Sequence, residues 1–509
     1  MTRTCKSRVK SQKSKEGLRA CAAFAFCLLT FDLLGCAKSP AALPPIPHFD
    51  PLQQLQTTII AATKTPGVQR AAWGIAVQSL DRNERLFELN AGTLLVPASA
   101  GKLVAVATAV AAVGWDYRYE TTIRATGPVV DGVLQGDLVI VGSGDPTIGG
   151  RGGDDIGPWI DALKAKDIHR IDGRIIGDDD DIEEPRPQLA WAWDDLGYTT
   201  GALFGALNLA ENRMTVTVRP AMFPGGATTL SVDPQAAYRP LGNRTITLQA
   251  ESSAMLWPEQ RPGEPFLTIA GFVPAGGPPA RMNVSAGNPT FWFASVLRNR
   301  LQRSGIEVTG EAWDVDDAMP KSAREGSTVL YTHRSRPLAD IVQPLLKESI
   351  NLYGEAVMRL NTAADVFPSN DAAIDGMRIR MDAWGIPRDA WQVIDGSGLS
   401  RRNAIAADAV VTILQRMYDA TGMSPWMRGL PIAGVDGTLG GRMKGTPAEG
   451  SVRAKTGTMS NIRALAGYAR TRDGENLAFV IMADNFEGAG SVATEAVDRI
   501  AVALASFTR

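Results

Sequence analysis

Ser99 and Lys102 stand three residues apart at the head of an almost wholly apolar stretch, Leu103 to Val113. In a helix that spacing puts both side chains on one face of the first turn. Nearly every later side chain is apolar, so the helix is predicted to be buried all round, with Ser99 as its N-terminal cap. Burial disfavours the charged form of an amine. Lys102 can then take the proton of the neighbouring hydroxyl, and the positive end of the helix favours the alkoxide that forms. Alone, the pair is weak. Ser7 and Lys10 repeat the spacing, and a serine before an apolar run is ordinarily a cap and nothing more.

Other stretches offer partners. Lys455-Thr456-Gly457-Thr458 falls on an expected strand, where backbone groups can pair with an extended peptide. Gly457 lets a ligand approach the main chain closely, and Lys455 is a cation placed to meet a carboxylate. The plain alternative is a solvated lysine beside a turn. Ser349-Ile350-Asn351 lies between two expected helices. Ser349 has the chemistry to relay a proton, and Asn351 to hold Lys102 or a substrate amide, although both residues are also ordinary helix caps. Asp395-Gly396-Ser397-Gly398-Leu399-Ser400 reads as a glycine-rich tight turn, and Asp178 to Asp181 with Glu183 and Glu184 as an acidic run, a feature that is usually solvated. The histidines are His48, His169 and His333 alone. A Ser-His-Asp triad is therefore poorly supplied, as is a zinc site, and neither cofactor nor metal is expected.

The elements that must position these groups follow from periodicity. Residues 51–63 have the apolar spacing of an amphipathic helix, with strands expected at 72–80 and 85–89 before the helix that follows Ser99. From about 119 to 325 the chain shows short strand signals, such as 121–125, 137–141, 174–176, 214–218 and 245–249, broken by glycine and proline. One helix is expected there, at 158–165. Helices return at 338–346, 353–360 and 371–384, and at 404–418 with Asn403 as cap. Strands are expected at 450–456, 464–472 and 476–484, and a last helix at 491–505. Two terminal helices, five strands and a buried central helix indicate an α+β fold, an antiparallel sheet with helices on both faces and a large β-rich insertion.

The 509 residues allow two or three domains, or one with an insertion. No basic patch interleaved with aromatics is present, which argues against a nucleic-acid partner. Seven basic residues precede an apolar run from Ala20 to Phe31 and then Leu33-Leu34-Gly35-Cys36. This is the pattern of an export signal, too short to span a bilayer comfortably. All four cysteines lie at or before position 36, so a body cut there keeps no thiol to form a disulfide. Removing residues 1–35 takes the net charge from −2 to about −7, which excludes a basic peripheral anchor. Residues 36–50 hold four prolines and should form an extended tether.

The order Ser-x-x-Lys, Ser-x-Asn, Lys-Thr-Gly resembles that of the penicillin-interacting serine enzymes, the penicillin-binding proteins and class A β-lactamases. With Gly142-Ser143-Gly144-Asp145-Pro146-Thr147, Ala206-Leu207-Asn208, Asn351-Leu352-Tyr353 and Asp395 to Arg401 added, the chain is most similar to the D-alanyl-D-alanine carboxypeptidase/endopeptidase family, the low-molecular-mass class C penicillin-binding proteins. The long gap between Ser99 and Ser349 separates it from class A β-lactamases. The resemblance implies a DD-peptidase/β-lactamase-like fold with catalytic parts at 51–120 and 326–509 and an inserted module at 121–325. It implies Ser99 as acyl-ester nucleophile, Lys102 as base and Ser349 as proton shuttle, with Asn351 binding substrate and Lys102. Lys455, with Thr456 and Thr458 and beside Gly457, would bind the terminal carboxylate, and the N–H groups of Ser99 and Thr458 would form the oxyanion hole. The substrates implied are peptidoglycan stem peptides, with β-lactams as acylating ligands. An inserted-domain aspartate, one of the acidic run, would meet the free end of diaminopimelate. The Leu-x-Gly-Cys ending resembles a lipobox, making Cys36 a lipid attachment site for an exported, membrane-tethered protein of the periplasm or cell envelope. The rival readings are a β-lactamase-type hydrolase and a non-catalytic lipoprotein that binds cell-wall peptide. The oligomeric state is not set by the sequence.

Overall fold

The computed structural model describes residues 50–151, 156–234, 240–261, 264, 266–317 and 324–509. The leader, Cys36 and the tether lie outside the described residues. Among the described residues no helix is long and apolar enough to cross a membrane.

Five antiparallel strands form the central sheet: β1 (Ala72–Ser79), β2 (Glu84–Leu89), β3 (Val452–Met459), β4 (Ile462–Arg470) and β5 (Asn476–Asp484). Their order is β2-β1-β5-β4-β3, so strands from the two ends of the chain pair at its centre and β3 is an edge. Alternate side chains on a strand point to opposite faces, and here both faces are covered. Ala76, Ala466, Val480 and Met482 pack against α2 (Lys102–Val113), α3 (Leu338–Glu348), α4 (Asn351–Arg359), α5 (Asn370–Ala383) and α6 (Ala407–Met417). On the reverse face Ile75, Val77, Leu465, Phe479 and Ile481 meet α1 (Pro51–Thr63) and α7 (Gly490–Ser506). Helix α2 is buried continuously from Lys102 to Ala109, as its composition predicts.

Between α2 and α3 the chain leaves this body and returns. It departs through the strand Glu120–Ala125 and comes back through Thr328–Arg334, its antiparallel neighbour. These two belong to a mixed five-stranded sheet with Leu138–Val141, Ile175–Asp178 and Ala312–Asp314. A separate core of Ile140, Trp159, Trp292, Phe293 and Leu297 fills this module. Its second long helix, Pro289–Arg303, was not among the expected elements. Asn288 caps it, accepting from the Phe291 N–H at 2.9 Å, and Pro289 occupies the first turn.

Asn403 does not cap a helix. Residues Ala404–Ile405 pair with Trp391–Gln392 as a short ribbon, and α6 starts at Ala407 with no side-chain cap. The Asn403 amide is spent inside the preceding loop instead, on Ile394 N, Asp395 Oδ1 and Ser400 O.

Candidate active site

Ser99 is not a helix cap. It sits within a single 3₁₀ turn, Ala98–Gly101, that runs directly into α2. The turn is entered through Ala98 at φ 46°, a conformation that costs energy in any residue with a β-carbon. Freed from capping, the Ser99 Oγ accepts from Lys102 Nζ at 3.0 Å. Lys102 is wholly buried, and its Nζ also donates to Asn351 Oδ1 at 2.7 Å and to the carbonyl of Ser397. Desolvation lowers the Lys102 pKa from 10.5 to about 7, against the opposing pull of Asp395 and Glu355. The amine is therefore neutral in a large share of molecules near neutrality and can accept the hydroxyl proton.

Asn351 opens α4 and bridges two parts of the molecule, since its Nδ2 donates to Thr200 O of the inserted module at 2.8 Å. Ser349 terminates α3 in the left-handed region, φ 63°. That turn aims its hydroxyl at Lys455, whose Nζ donates to Ser349 Oγ at 2.8 Å and to Thr456 O at 2.8 Å. Ser349 and Lys102 share no direct hydrogen bond, so the polar groups form two pairs: Ser99–Lys102–Asn351 and Ser349–Lys455. Lys455 is no solvated strand lysine. It is 0% exposed, and burial, reinforced by the charge of Lys102, holds its pKa well below the lysine range.

Gly457 matters through the protein's own main chain. A β-carbon there would lie 2.3 Å from the carbonyl oxygen of Pro97 and 3.2 Å from Ala100 N. The glycine lets the turn carrying Ser99 lie flat against β3. Gly398, at φ 81°, does the same from the other side, where a β-carbon would come within 2.1 Å of Ala98 O.

The loop Asp395 to Ser400, which reads as a turn, is thus a wall of the site. Asp395 accepts from Gly398 N, Ser400 N and Asn403 Nδ2, and from Trp191 Nε1 of the inserted module at 2.8 Å. Ser397 N donates to Glu355 Oε1 at 2.9 Å, while Ser397 O receives Lys102. Burial, then Asp395, pushes the Glu355 carboxyl up to about 7. Glu355 escaped the sequence reading because it lies inside an ordinary helix, and Asp395 reads there as part of a turn without a role of its own.

A cavity of about 630 Å³ opens over these groups, lined by Ser99, Ser349, Asn351, Thr456 and Thr458, with Asp195 and Arg401 towards the inserted module. The acidic run does not reach it. Asp178 and Asp181 are paired with Arg324, Asp179 is buried against Thr290, and Glu183 accepts from Asn370 N. Asp180, Glu184 and Asp316 bring their oxygens within 4.8 Å of one another, away from the residues that line the serine cavity. The inserted-module acid at the cavity is Asp195, whose pKa is raised by burial and by Asp194 against the pull of Arg401.

Comparison with known proteins bears on the family and the fold. The family model described as D-Ala-D-Ala carboxypeptidase 3 (S13) family matches residues 55–506. A D-alanyl-D-alanine carboxypeptidase of an Actinomadura species is 30% identical, covering 96% of this chain and 90% of the relative. The crystal structure of penicillin binding protein 4 from Haemophilus influenzae superposes with a TM-score of 0.75 at 23% identity, covering 87% of this chain and 97% of that one. The same protein complexed with a β-lactam gives 0.70 at 22% identity, covering 86% and 97%.

Proposed function

Because the chain belongs to the D-Ala-D-Ala carboxypeptidase 3 (S13) family, we propose that Ser99 is its nucleophile and Lys102 the base that activates it. The protein is a serine-type D-Ala-D-Ala carboxypeptidase of the penicillin-binding, acyl-enzyme class. Neutral Lys102 takes the Oγ proton as Oγ bonds to the carbonyl carbon of the penultimate D-alanine. The oxyanion is held by the N–H groups of Ser99 and Thr458. The close fit of the Ser99 turn on β3 at Gly457 supports this placement. The C–N bond then breaks, and the proton that Lys102 took passes through Ser349 to the nitrogen of the departing D-alanine, leaving Lys102 neutral again. Water attacks the ester carbon, Lys102 takes its proton, and as the ester C–O bond breaks Lys102 returns that proton to Ser99 Oγ.

Asn351 orients Lys102 and the substrate amide, while Thr456 and Thr458, backed by Lys455, receive the terminal carboxylate. Asp195 and Arg401 together offer both charges that the free end of diaminopimelate carries. The same reading makes stem peptides and β-lactams the ligands and cross-bridge cleavage a second activity. It places the exported protein in the cell envelope, residues 1–35 being removed and Cys36 lipidated ahead of the 36–50 tether. The catalytic body comprises 51–120 and 326–509 around a module at 121–325; the pairing of Glu120–Ala125 with Thr328–Arg334 supports moving that second boundary a few residues later.

The observation that carries the proposal is the wholly buried Lys102 amine 3.0 Å from Ser99 Oγ. Incubation with a fluorescent penicillin should label the protein covalently and one-to-one, and Ser99→Ala should abolish the label. An unlabelled wild-type protein, or a labelled Ser99→Ala, would overturn it.

A further inference from the structure

A second cavity, of about 490 Å³, lies where the inserted module meets the catalytic body, and none of the residues in its wall lines the serine cavity. Val113 at the end of α2, Leu360 just after α4, and Ile182 and Phe204 of the module make much of that wall apolar. Two arginines are set among them, Arg359 at the end of α4 and Arg380 on α5. Arg359 is 6% exposed and stacks over the Phe204 ring at 5.6 Å. Its Nη1 donates to Asn370 Oδ1 at 3.0 Å, while its Nε is shut off from solvent with no hydrogen-bond partner. Glu355 stands 3.8 Å away, but one of its oxygens already accepts from the Ser397 N–H, and its carboxyl is pushed up to about 7. Arg380 Nη1 donates to the carbonyls of Gly376 at 2.7 Å and Asn361 at 3.3 Å. Among the described residues no carboxylate lies within salt-bridge distance of Arg380. Burial works against the charge of both arginines.

Tyr119 Oη, Ser143 Oγ and Thr362 Oγ1, on residues of the same wall, also lack partners. Buried polar groups are ordinarily paired. Two under-compensated guanidinium groups and three idle hydroxyls around one void call for a ligand that accepts hydrogen bonds and carries negative charge. The surroundings narrow its class. Asp181, in the same wall and paired with Arg324 at 2.5 Å, and Glu355 behind Arg359 both oppose a dianion. The apolar wall favours a ligand with a hydrocarbon body. We propose that this cavity binds a small organic monocarboxylate, its carboxylate met by Arg359 and Arg380 and its apolar body by Phe204 and Leu360. The site is separate from the serine cavity and does not rest on the acyl-transfer reading.

The probe is benzoate, with benzamide as its uncharged isostere and inorganic phosphate as an anion without a hydrocarbon body. Each is titrated at constant ionic strength while thermal unfolding is followed, on wild type, Arg380→Gln and Ala363→Trp. The last places an indole among the exposed loop residues of the cavity wall and leaves both guanidinium groups in place. Benzoate should raise the melting temperature saturably, by roughly 3 °C at a hundred times its Kd. Benzamide and phosphate should each give less than about a third of that rise. Arg380→Gln should weaken the apparent affinity for benzoate about tenfold, as loss of a charge-assisted hydrogen bond does, and Ala363→Trp should remove the shift. Penicillin labelling of both variants should stay within about twofold of wild type, the serine cavity being a separate site. Should one variant fail to fold, the other decides. Benzoate should act equally on protein already acylated by penicillin. No saturable shift, an equal shift from benzamide or phosphate, an affinity unchanged in a folded variant, or loss of the shift on acylation would each overturn the proposal.

Discussion

The protonation of Lys102 sets a pH profile that can be worked out from its surroundings. Burial brings its pKa from 10.5 to about 7, with Asp395 and Glu355 holding it from falling further. Only the neutral amine can take the Ser99 proton. Acylation should therefore rise about tenfold per pH unit below 7 and level off above it, so that at pH 6 the rate is roughly one-tenth of the plateau. Glu355 is itself pushed up to about 7 by burial and by Asp395, and where it is ionised its charge raises the pKa of Lys102. Replacing Glu355 by Gln keeps an oxygen for the Ser397 N–H and removes the charge. A carboxylate raises the pKa of a nearby amine, so its loss must lower that of Lys102. The acid limb of Glu355→Gln should lie at lower pH than that of wild type, and at pH 6 the variant should reach a larger fraction of its own plateau. The assay is the second-order rate of labelling by a fluorescent penicillin between pH 5 and 9. A profile flat from pH 5 to 8, or a limb that moves upward in Glu355→Gln, would refute Lys102 as the base controlled by these carboxylates.

Gly457→Ala should lower the labelling rate on the order of a hundredfold, because the Pro97 carbonyl and the new methyl cannot both keep their places and the Ser99 turn must shift by about 1 Å. The accompanying stability loss should be about 1–3 kcal/mol, read by thermal melting; undiminished labelling would show that the turn does not need this contact. Arg324→Ala strips Asp178, 1% exposed, of its partner. It should cost about 3 kcal/mol of stability while leaving penicillin labelling per folded molecule unchanged. A drop in labelling of the folded fraction would mean that the acidic run acts on the site after all.

Much of the fold was legible because it rests on one-dimensional patterns. The near-continuous apolar runs of β1, β4 and β5 and the unbroken apolar run after Lys102 can satisfy themselves only in a sheet covered on both faces and a buried helix. The Ser99–Lys102 pair was legible for the same reason, being three residues apart on one helical turn. What spacing does not carry is the identity of a tertiary neighbour. Ser397 contributes a main-chain carbonyl, which no side-chain motif can announce. Asn403 has the composition of a cap, yet its amide is spent on the Asp395 loop. The sequence reads Lys455 as a cation for a carboxylate, with a solvated lysine as the alternative, and only the packing of Ser349 against it shows that it is buried. The helix Pro289–Arg303 did carry its start signal in Asn288 and Pro289, but the glycine- and proline-rich residues just before it suggest only turns.

The pairing of β1 with β5 has a consequence for how the molecule comes into being. Residues 72–79 and 476–484 are neighbours in the finished sheet, some four hundred positions apart along the chain. A chain emerging from its N-terminus presents Ser99 and Lys102 early, complete in sequence and without function. The wall that aligns them, β3 with Gly457, joins the sheet only through β4 and β5, among the last residues made. Loop closure over such a span is slow and must follow the module between. The nucleophile is therefore disarmed throughout synthesis and armed by the final strands. A chain stopped before residue 476 has every motif of the enzyme and no enzyme.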